Sequence, residues 1–204
     1  MQEDNLHTKS DSKLYGLVLS GGKSTRMGRD KGSLTYHGRP QREYLYEMIR
    51  PFCDKTYLSI RSDQEGEIGD RWERIVDIDL GKGPLNGLLS AHEKHPDVSW
   101  LVLACDLPLI NVQTIRQLIE ARAGHKDATA LATHESGLPE PLAAIWEPRA
   151  LRKAKKFLLE SGSSCPRKFL LQSDTALVFP HNDQDLCNAN SPEEYREVIS
   201  KLSN

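Results

Sequence analysis

Leu14-Tyr15-Gly16-Leu17-Val18-Leu19-Ser20-Gly21-Gly22-Lys23-Ser24-Thr25-Arg26-Met27-Gly28-Arg29-Asp30-Lys31 decides how this chain is read. Leu14–Leu19 is a short, continuous apolar run, the pattern of a strand buried on both faces of a parallel sheet. A glycine pair follows at once. Lacking a Cβ, Gly21 and Gly22 can adopt positive φ and let another molecule come close to the main chain. Successive N–H groups in such a turn form an anion-binding concavity. Four cations, Lys23, Arg26, Arg29 and Lys31, surround it. A strand, a glycine turn and clustered positive charge describe a triphosphate site. A tight strand-to-helix turn with solvated charges is the plainer alternative.

Two familiar phosphate loops are excluded by spacing. A Walker A loop needs a glycine five residues before its Gly-Lys-Ser, and that position is Leu17. The dinucleotide fingerprint G-x-G-x-x-G fails because the glycines here are adjacent and then widely spaced.

The chain has 204 residues, 27% charged and 38% hydrophobic, which suits one soluble domain with a sizeable core. We expect a disordered tail over residues 1–13 and a single domain over 14–204. A net charge of −2 argues against broad attraction to nucleic acid or membrane. No apolar run approaches the roughly 18–20 residues of a membrane helix, and the polar N-terminus lacks the apolar stretch of a signal peptide. Cys53, Cys105, Cys165 and Cys187 form no C-x-x-C pair, so a structural zinc site is not expected. Cys105 lies in an apolar run and reads as a buried, inert thiol. A reducing cytoplasm is the default compartment.

Working outward, Ser33–Pro40 reads as an extended piece closed by a turn. Gln41–Phe52 carries Leu45, Met48, Ile49 and Phe52 at helical intervals. Thr56–Ile60 is strand-like, Arg61–Asp70 a polar loop, and Glu73–Ile78 a third short strand. Gly83-Pro84-Leu85-Asn86-Gly87 opens a helix, with proline in the first turn, where a missing N–H costs nothing. Trp100-Leu101-Val102-Leu103-Ala104-Cys105-Asp106-Leu107-Pro108 is an apolar run that ends in a carboxylate and is stopped by proline. Ligands of open α/β sheets bind at the carboxyl ends of strands, so Asp106 should share a rim with Gly21 and Gly22. Such an Asp often caps a helix, although Asn111 can cap the next one. Beside a phosphate loop, a carboxylate suits Mg²⁺ held between phosphate oxygens.

Thr114–Ala123 reads as a helix, Asp127–Thr133 as a strand, and Pro139–Trp146 as a proline-bounded strand. Pro148–Glu160 is a helix ended by Ser161-Gly162. A short helix over Cys165–Leu171 and a strand over Ala176–Phe179 follow. Ser191 caps a last helix that starts at Pro192, with Glu194 completing a capping box. Alternating strands and helices predict an α/β fold, a three-layer α/β/α Rossmann-like arrangement around a mostly parallel twisted sheet.

These motifs, in this order, resemble the nucleotidyltransferases that build nucleoside-diphosphate conjugates, and within them the molybdenum cofactor guanylyltransferases. The pattern L-x-G-G-x-x-x-R-M-G-x-D-K is met by Leu19, Gly21, Gly22, Arg26, Met27, Gly28, Asp30 and Lys31, with Ser20 where Ala is common. Gly83-Pro84-Leu85 matches the element beside the guanine base. Asp77 stands where the family has an acidic residue near the nucleotide, with Asp79 as an alternative. Asp106 and Pro108 match a D-x-P motif, and Asn188-Ala189-Asn190-Ser191-Pro192-Glu193-Glu194 resembles the family's N-x-N-T/S-P-E-D ending. Pro40-Gln41-Arg42 departs from the usual Pro-Leu, which bears on packing more than on chemistry.

The resemblance spans the chain from about Tyr15 to Tyr195. It implies a nucleotide-diphospho-sugar transferase-like fold and transfer of GMP from GTP to the terminal phosphate of molybdopterin, with release of pyrophosphate. Mg²⁺ would be the cofactor and molybdoenzyme-maturation proteins further partners. Nucleotide binding then falls to Leu19, Ser20, Gly21, Gly22, Lys31, Asp77, Gly83, Pro84, Leu85 and Asp106. Catalysis falls to Arg26, Lys31 and Asp106, the last also holding the metal. The second substrate would meet Pro141, Leu142, Asn188 and Asn190, although Pro139–Trp146 reads equally as an edge strand tolerating prolines. A phosphate monoester is already anionic, so no general base is required, in keeping with the lack of a serine triad or His/Asp pair among the motifs. A cytidylyltransferase on the same pterin, a sugar-phosphate nucleotidyltransferase and a nucleotide-binding module without turnover are the rival readings. The combination of Arg26, Lys31 and Asp106 argues against the last.

Overall fold

Leu14–Leu19 forms β1, and the rest of the architecture is built around it in the computed structural model, which describes residues 12–22, 30–81 and 83–202. With β2 (Lys55–Ile60), β3 (Arg74–Val76), β4 (Ser99–Ala104), β5 (Ala128–Ala132), β6 (Pro139–Trp146) and β7 (Thr175–Val178) it makes one sheet of order β3-β2-β1-β4-β6-β5-β7. Every neighbouring pair is parallel except the two formed by β6. The helices are α1 (Gln41–Ile49), α2 (Pro84–Lys94), α3 (Val112–Glu120), α4 (Pro148–Ser161), α5 (Pro166–Leu170) and α6 (Pro192–Leu202).

Alternation along β1 sends its side chains to two separate cores. Val18 packs with Leu45 and Ile49 of α1 and with Ile115 and Leu118 of α3. Tyr15 and Leu17 pack with Leu85, Leu88 and Leu89 of α2 and with Leu151 and Ala154 of α4. Both faces of the sheet are therefore covered, which is why β1 and β4 read as unbroken apolar runs. Each fully buried leucine contributes about 1.5–3 kcal/mol relative to exposure. The helix signals behave as their chemistry dictates. Asn111 Oδ1 accepts from the N–H groups of Gln113 and Thr114, α4 ends at Gly162 with φ 64°, and Glu194 and Ser191 form the capping box of α6.

Four expectations are corrected. The expected tail over residues 1–13 does not extend to Ser12 and Lys13: Lys13 O accepts from Ser99 N and the Ser12 hydroxyl bonds Ser99 and Arg122, which fastens the chain to β4, while residues 1–11 lie outside the described residues. The proline-bearing β6 is not an edge strand; it lies between β4 and β5. It tolerates Pro141 because the register with β5 jumps from Ala130↔Ala144 to Leu131↔Glu140, leaving Pro141 with no partner on β5. Its carbonyl instead accepts from Trp146 Nε1 at 2.9 Å. The segment after β2 is not a plain loop, because Ser62–Glu67 winds into a 3-10 turn around the buried Gln64. Finally, α1 stops at Ile49 and tightens into a 3-10 turn over Arg50–Phe52, with Pro51 inside it.

Candidate active site

In-step parallel pairing sets the site. Leu19 at the end of β1 faces Ser59 on one side and Ala104 on the other. The residues that follow these three strands, Ser20–Gly22, Arg61 and Asp106, therefore emerge at one rim of the sheet. Pairing of Ile60 with Val76 brings Asp77 to the same rim. A cavity of about 800 Å³ opens there, lined by Leu19, Ser20, Gly21, Gly22, Lys31, Asp77, Gly83, Pro84, Asp106 and Leu142 among others. Gly22 and Asp106 thus share one cavity, as the sequence required.

Other candidates fall elsewhere. Leu85 is fully buried in the α2 core, Pro141 is buried within β6, and Asn188 is exposed; none of the three lines the cavity. Asn190 accepts a hydrogen bond from Lys31 Nζ at 2.5 Å, which ties it to the site through the lysine. Arg26 lies outside the described residues.

Gly21 is required for room rather than for handedness, whereas a Cβ on Gly22 would meet only open space. Neither Gly21 nor Gly22 has positive φ. A Cβ on Gly21 would sit 2.9 Å from Asp77 Oδ2, and one on Gly87 would sit 2.5 Å from Ser59 Oγ and 2.8 Å from Leu19 Cδ2. A side chain at either position would displace the wall of the cavity. Gly83 is the one that needs positive φ, at 66°, where the chain turns into α2.

Lys31 is aimed by a buried polar network. Asp30 Oδ1 accepts from Gly32 N at 2.9 Å, while its Oδ2 accepts from Gln64 Nε2 at 2.7 Å and Arg42 Nη1 at 3.1 Å. Gln64 Nε2 also donates to Ser20 O at 3.2 Å, and its Oε1 accepts from Arg61 N at 2.9 Å. One carboxylate and one amide therefore join the end of β1, the turn carrying Lys31, and α1. Lys31 Nζ stands 3.6 Å from Asp106 Oδ2. At the other end of the cavity, burial pushes the Asp77 carboxyl above its ordinary range, opposed by the hydrogen bond from Ser59 Oγ at 2.7 Å and by the nearby Arg61 guanidinium. Cys105 is buried and burial raises its thiol strongly, so it is inert as expected.

The roles of Ser59, Arg61, Gln64 and Arg42 went unread in the sequence. Arg61 alone carried a usable signal, since it directly follows a strand. Gln64 and Arg42 are recruited from a loop and a helix by tertiary contact. Among the described residues no three His, Cys, Asp or Glu side chains gather as metal ligands. The Asp106 carboxylate is a hard oxygen donor of the kind a dication such as magnesium would take. Among the described residues no helix is long and apolar enough to cross a membrane.

A sheet with a glycine turn, a lysine and an aspartate on one rim defines a nucleotide-binding transferase of the α/β class. The family model of the MobA-like NTP transferase domain matches residues 16–176. The chain belongs to that family and is a nucleotidyltransferase. It is 33% identical over 180 residues to the molybdenum cofactor guanylyltransferase of Ectopseudomonas mendocina, covering 87% of each protein. It is 38% identical over 190 residues to the molybdenum cofactor biosynthesis bifunctional protein of Synechocystis, covering 93% of this chain; the match spans 54%, about half, of that longer relative. The crystal structure of molybdopterin-guanine dinucleotide biosynthesis protein A from Archaeoglobus fulgidus has the same fold, with a TM-score of 0.76 and 22% identity over 93% of this chain and 98% of that one.

Proposed function

We propose that the chain transfers GMP from GTP to the terminal phosphate of molybdopterin. An oxygen of that phosphate bonds the α-phosphorus, the bond to the β-phosphate oxygen breaks, and pyrophosphate leaves with the electron pair. The observation that carries this reading is the single cavity in which Gly21, Gly22, Lys31, Asp77 and Asp106 meet. The base lies toward Asp77 and Gly83–Pro84, whose main chain leaves space for a flat ring. Main-chain N–H groups of Gly21 and Gly22 hold the phosphates, the Ser20 N–H being donated to Ser59 O at 2.9 Å. Lys31 neutralises charge at the α-phosphate, and Arg26 serves the β- and γ-phosphates as the family pattern has it.

Asp106 is the residue to hold Mg²⁺, which when bound would supply charge neutralisation across the phosphate oxygens. Catalysis is then positioning plus electrostatics, with no proton to abstract. Leu142 and Asn190 lie toward the second substrate. Four free thiols suit the reducing cytoplasm as the site of reaction, with molybdoenzyme-maturation proteins as recipients of the product. The test is pyrophosphate release measured with each of the four triphosphates, with and without molybdopterin. Release that needs both GTP and molybdopterin supports the proposal. Release with CTP and not GTP, or with a sugar phosphate in place of the pterin, overturns it.

A further inference from the structure

We infer that Arg61 reads the base, donating to the O6 acceptor of guanine while Asp77 accepts from N1–H and the 2-amino group, and that this pair separates guanine from cytosine. The inference rests on the guanylyl reading above.

Arg61 follows β2 directly, one strand from Gly21 and one strand from Asp77. It lines the cavity with its side chain 25% exposed. Its fork is held on two sides. Nε donates to Asp63 Oδ1 at 2.8 Å and Nη2 to Asp63 Oδ2 at 3.3 Å, while Nη1 donates to Gly21 O at 2.8 Å. A guanidinium carries five N–H hydrogens. Among the described residues these bonds use three, leaving two for a ligand. A side chain already clamped loses little freedom when it binds, so its remaining donors are preorganised.

The strand order puts this cation on the Asp77 side of the glycine turn. Arg61 and Asp77 follow β2 and β3, whereas Asp106 follows β4 on the far side of β1. Asp77 supplies the complementary half. Its Oδ1 accepts from Ser59 Oγ, and its Oδ2 lies against the Gly21 main chain. Guanine presents one acceptor beside two donors. Cytosine presents one donor beside two acceptors, so a carboxylate placed for guanine would face ring lone pairs and lose its bonds. Buried groups left unpaired in this way are what make a polar pocket selective.

The experiment titrates the intact protein with GTP, CTP and 6-thioguanosine triphosphate, whose sulfur is a poor acceptor while N1–H and the 2-amino group remain. The wild type should favour GTP over both. In Arg61→Gln, affinity for GTP should fall roughly ten- to hundredfold, as for loss of a good base contact, while CTP and the thio analogue change less than twofold. A parallel loss for all three nucleotides would show that Arg61 only braces the glycine turn, and unchanged GTP affinity would show no contact; either overturns the inference while leaving guanylyl transfer standing. A wild type that prefers CTP overturns both readings. If Arg61→Gln does not fold, the same titrations on Arg61→Lys decide, since lysine keeps the charge and loses the fork.

Discussion

Lys31 shows how much one side chain is asked to do. Its ammonium group lies between Asp106 and Asn190, so it is oriented before any phosphate arrives. In the proposed reaction it neutralises charge that grows at the α-phosphate, and groups of that kind are worth about 3–4 kcal/mol. Lys31→Ala should therefore lower kcat by roughly 10²–10³-fold with the melting temperature nearly unchanged. Turnover equal to wild type in a steady-state assay would remove Lys31 from the chemistry. The twin glycines carry a different lesson. The sequence allows them positive φ, but neither has it, and Gly21 is needed because the Asp77 carboxylate occupies the space a Cβ would take.

Among the elements, the 3-10 turn carrying Lys31 has too few residues to hold itself in place, so its position depends on Asp30. Replacing Asp30 by alanine strands the mostly buried Arg42 guanidinium and frees Gln64. We expect a loss of about 2–3 kcal/mol in urea denaturation, as for hydrogen bonds to charged groups, together with a raised KM for nucleotide because Lys31 loses its anchor. Helix α1 contains the departure from the family pattern. Gln41 is fully buried and neither atom of its amide has a hydrogen-bond partner among the described residues. Restoring the apolar residue, Gln41→Leu, should stabilise the protein by about 1–2 kcal/mol by removing that desolvation cost. A lower denaturation midpoint would mean the amide is satisfied.

Across the whole molecule, His92 and His95 link stability to pH. His92 is buried on α2, and burial lowers its pKa, reinforced by Arg152 and Lys155 of α4 and opposed by Glu93 and Asp97. His95 is lowered by burial and by Lys94 and Lys55. The unfolded chain takes up these protons near pH 6.5 while the folded one resists, so stability is complete above that pH and declines as pH falls below it. Each histidine adds up to about 1.4 kcal/mol per pH unit. Asp77 and Glu140 are raised and act in the opposite sense, but in the lower range where carboxylates titrate. Urea midpoints should fall between pH 7 and 5.5, and less so in His92→Gln; equal slopes in the two proteins would exclude His92 as a source.

What the sequence determined by itself was local and periodic. The apolar runs of β1 and β4, the proline helix starts, the Asn111 and Ser191 caps and the Gly162 stop are all decided by residues within a few positions of one another. Those signals were enough to predict a parallel α/β sheet and to put Gly21 and Asp106 on one rim. Only the tertiary structure decided that β6 enters antiparallel between β4 and β5, that Gln64 and Arg42 meet Asp30, and that Arg61 stands over the cavity beside Asp77. Each of those depends on which strand lies next to which, and a strand's neighbour is chosen by burial over the whole sheet rather than by anything written in its own residues.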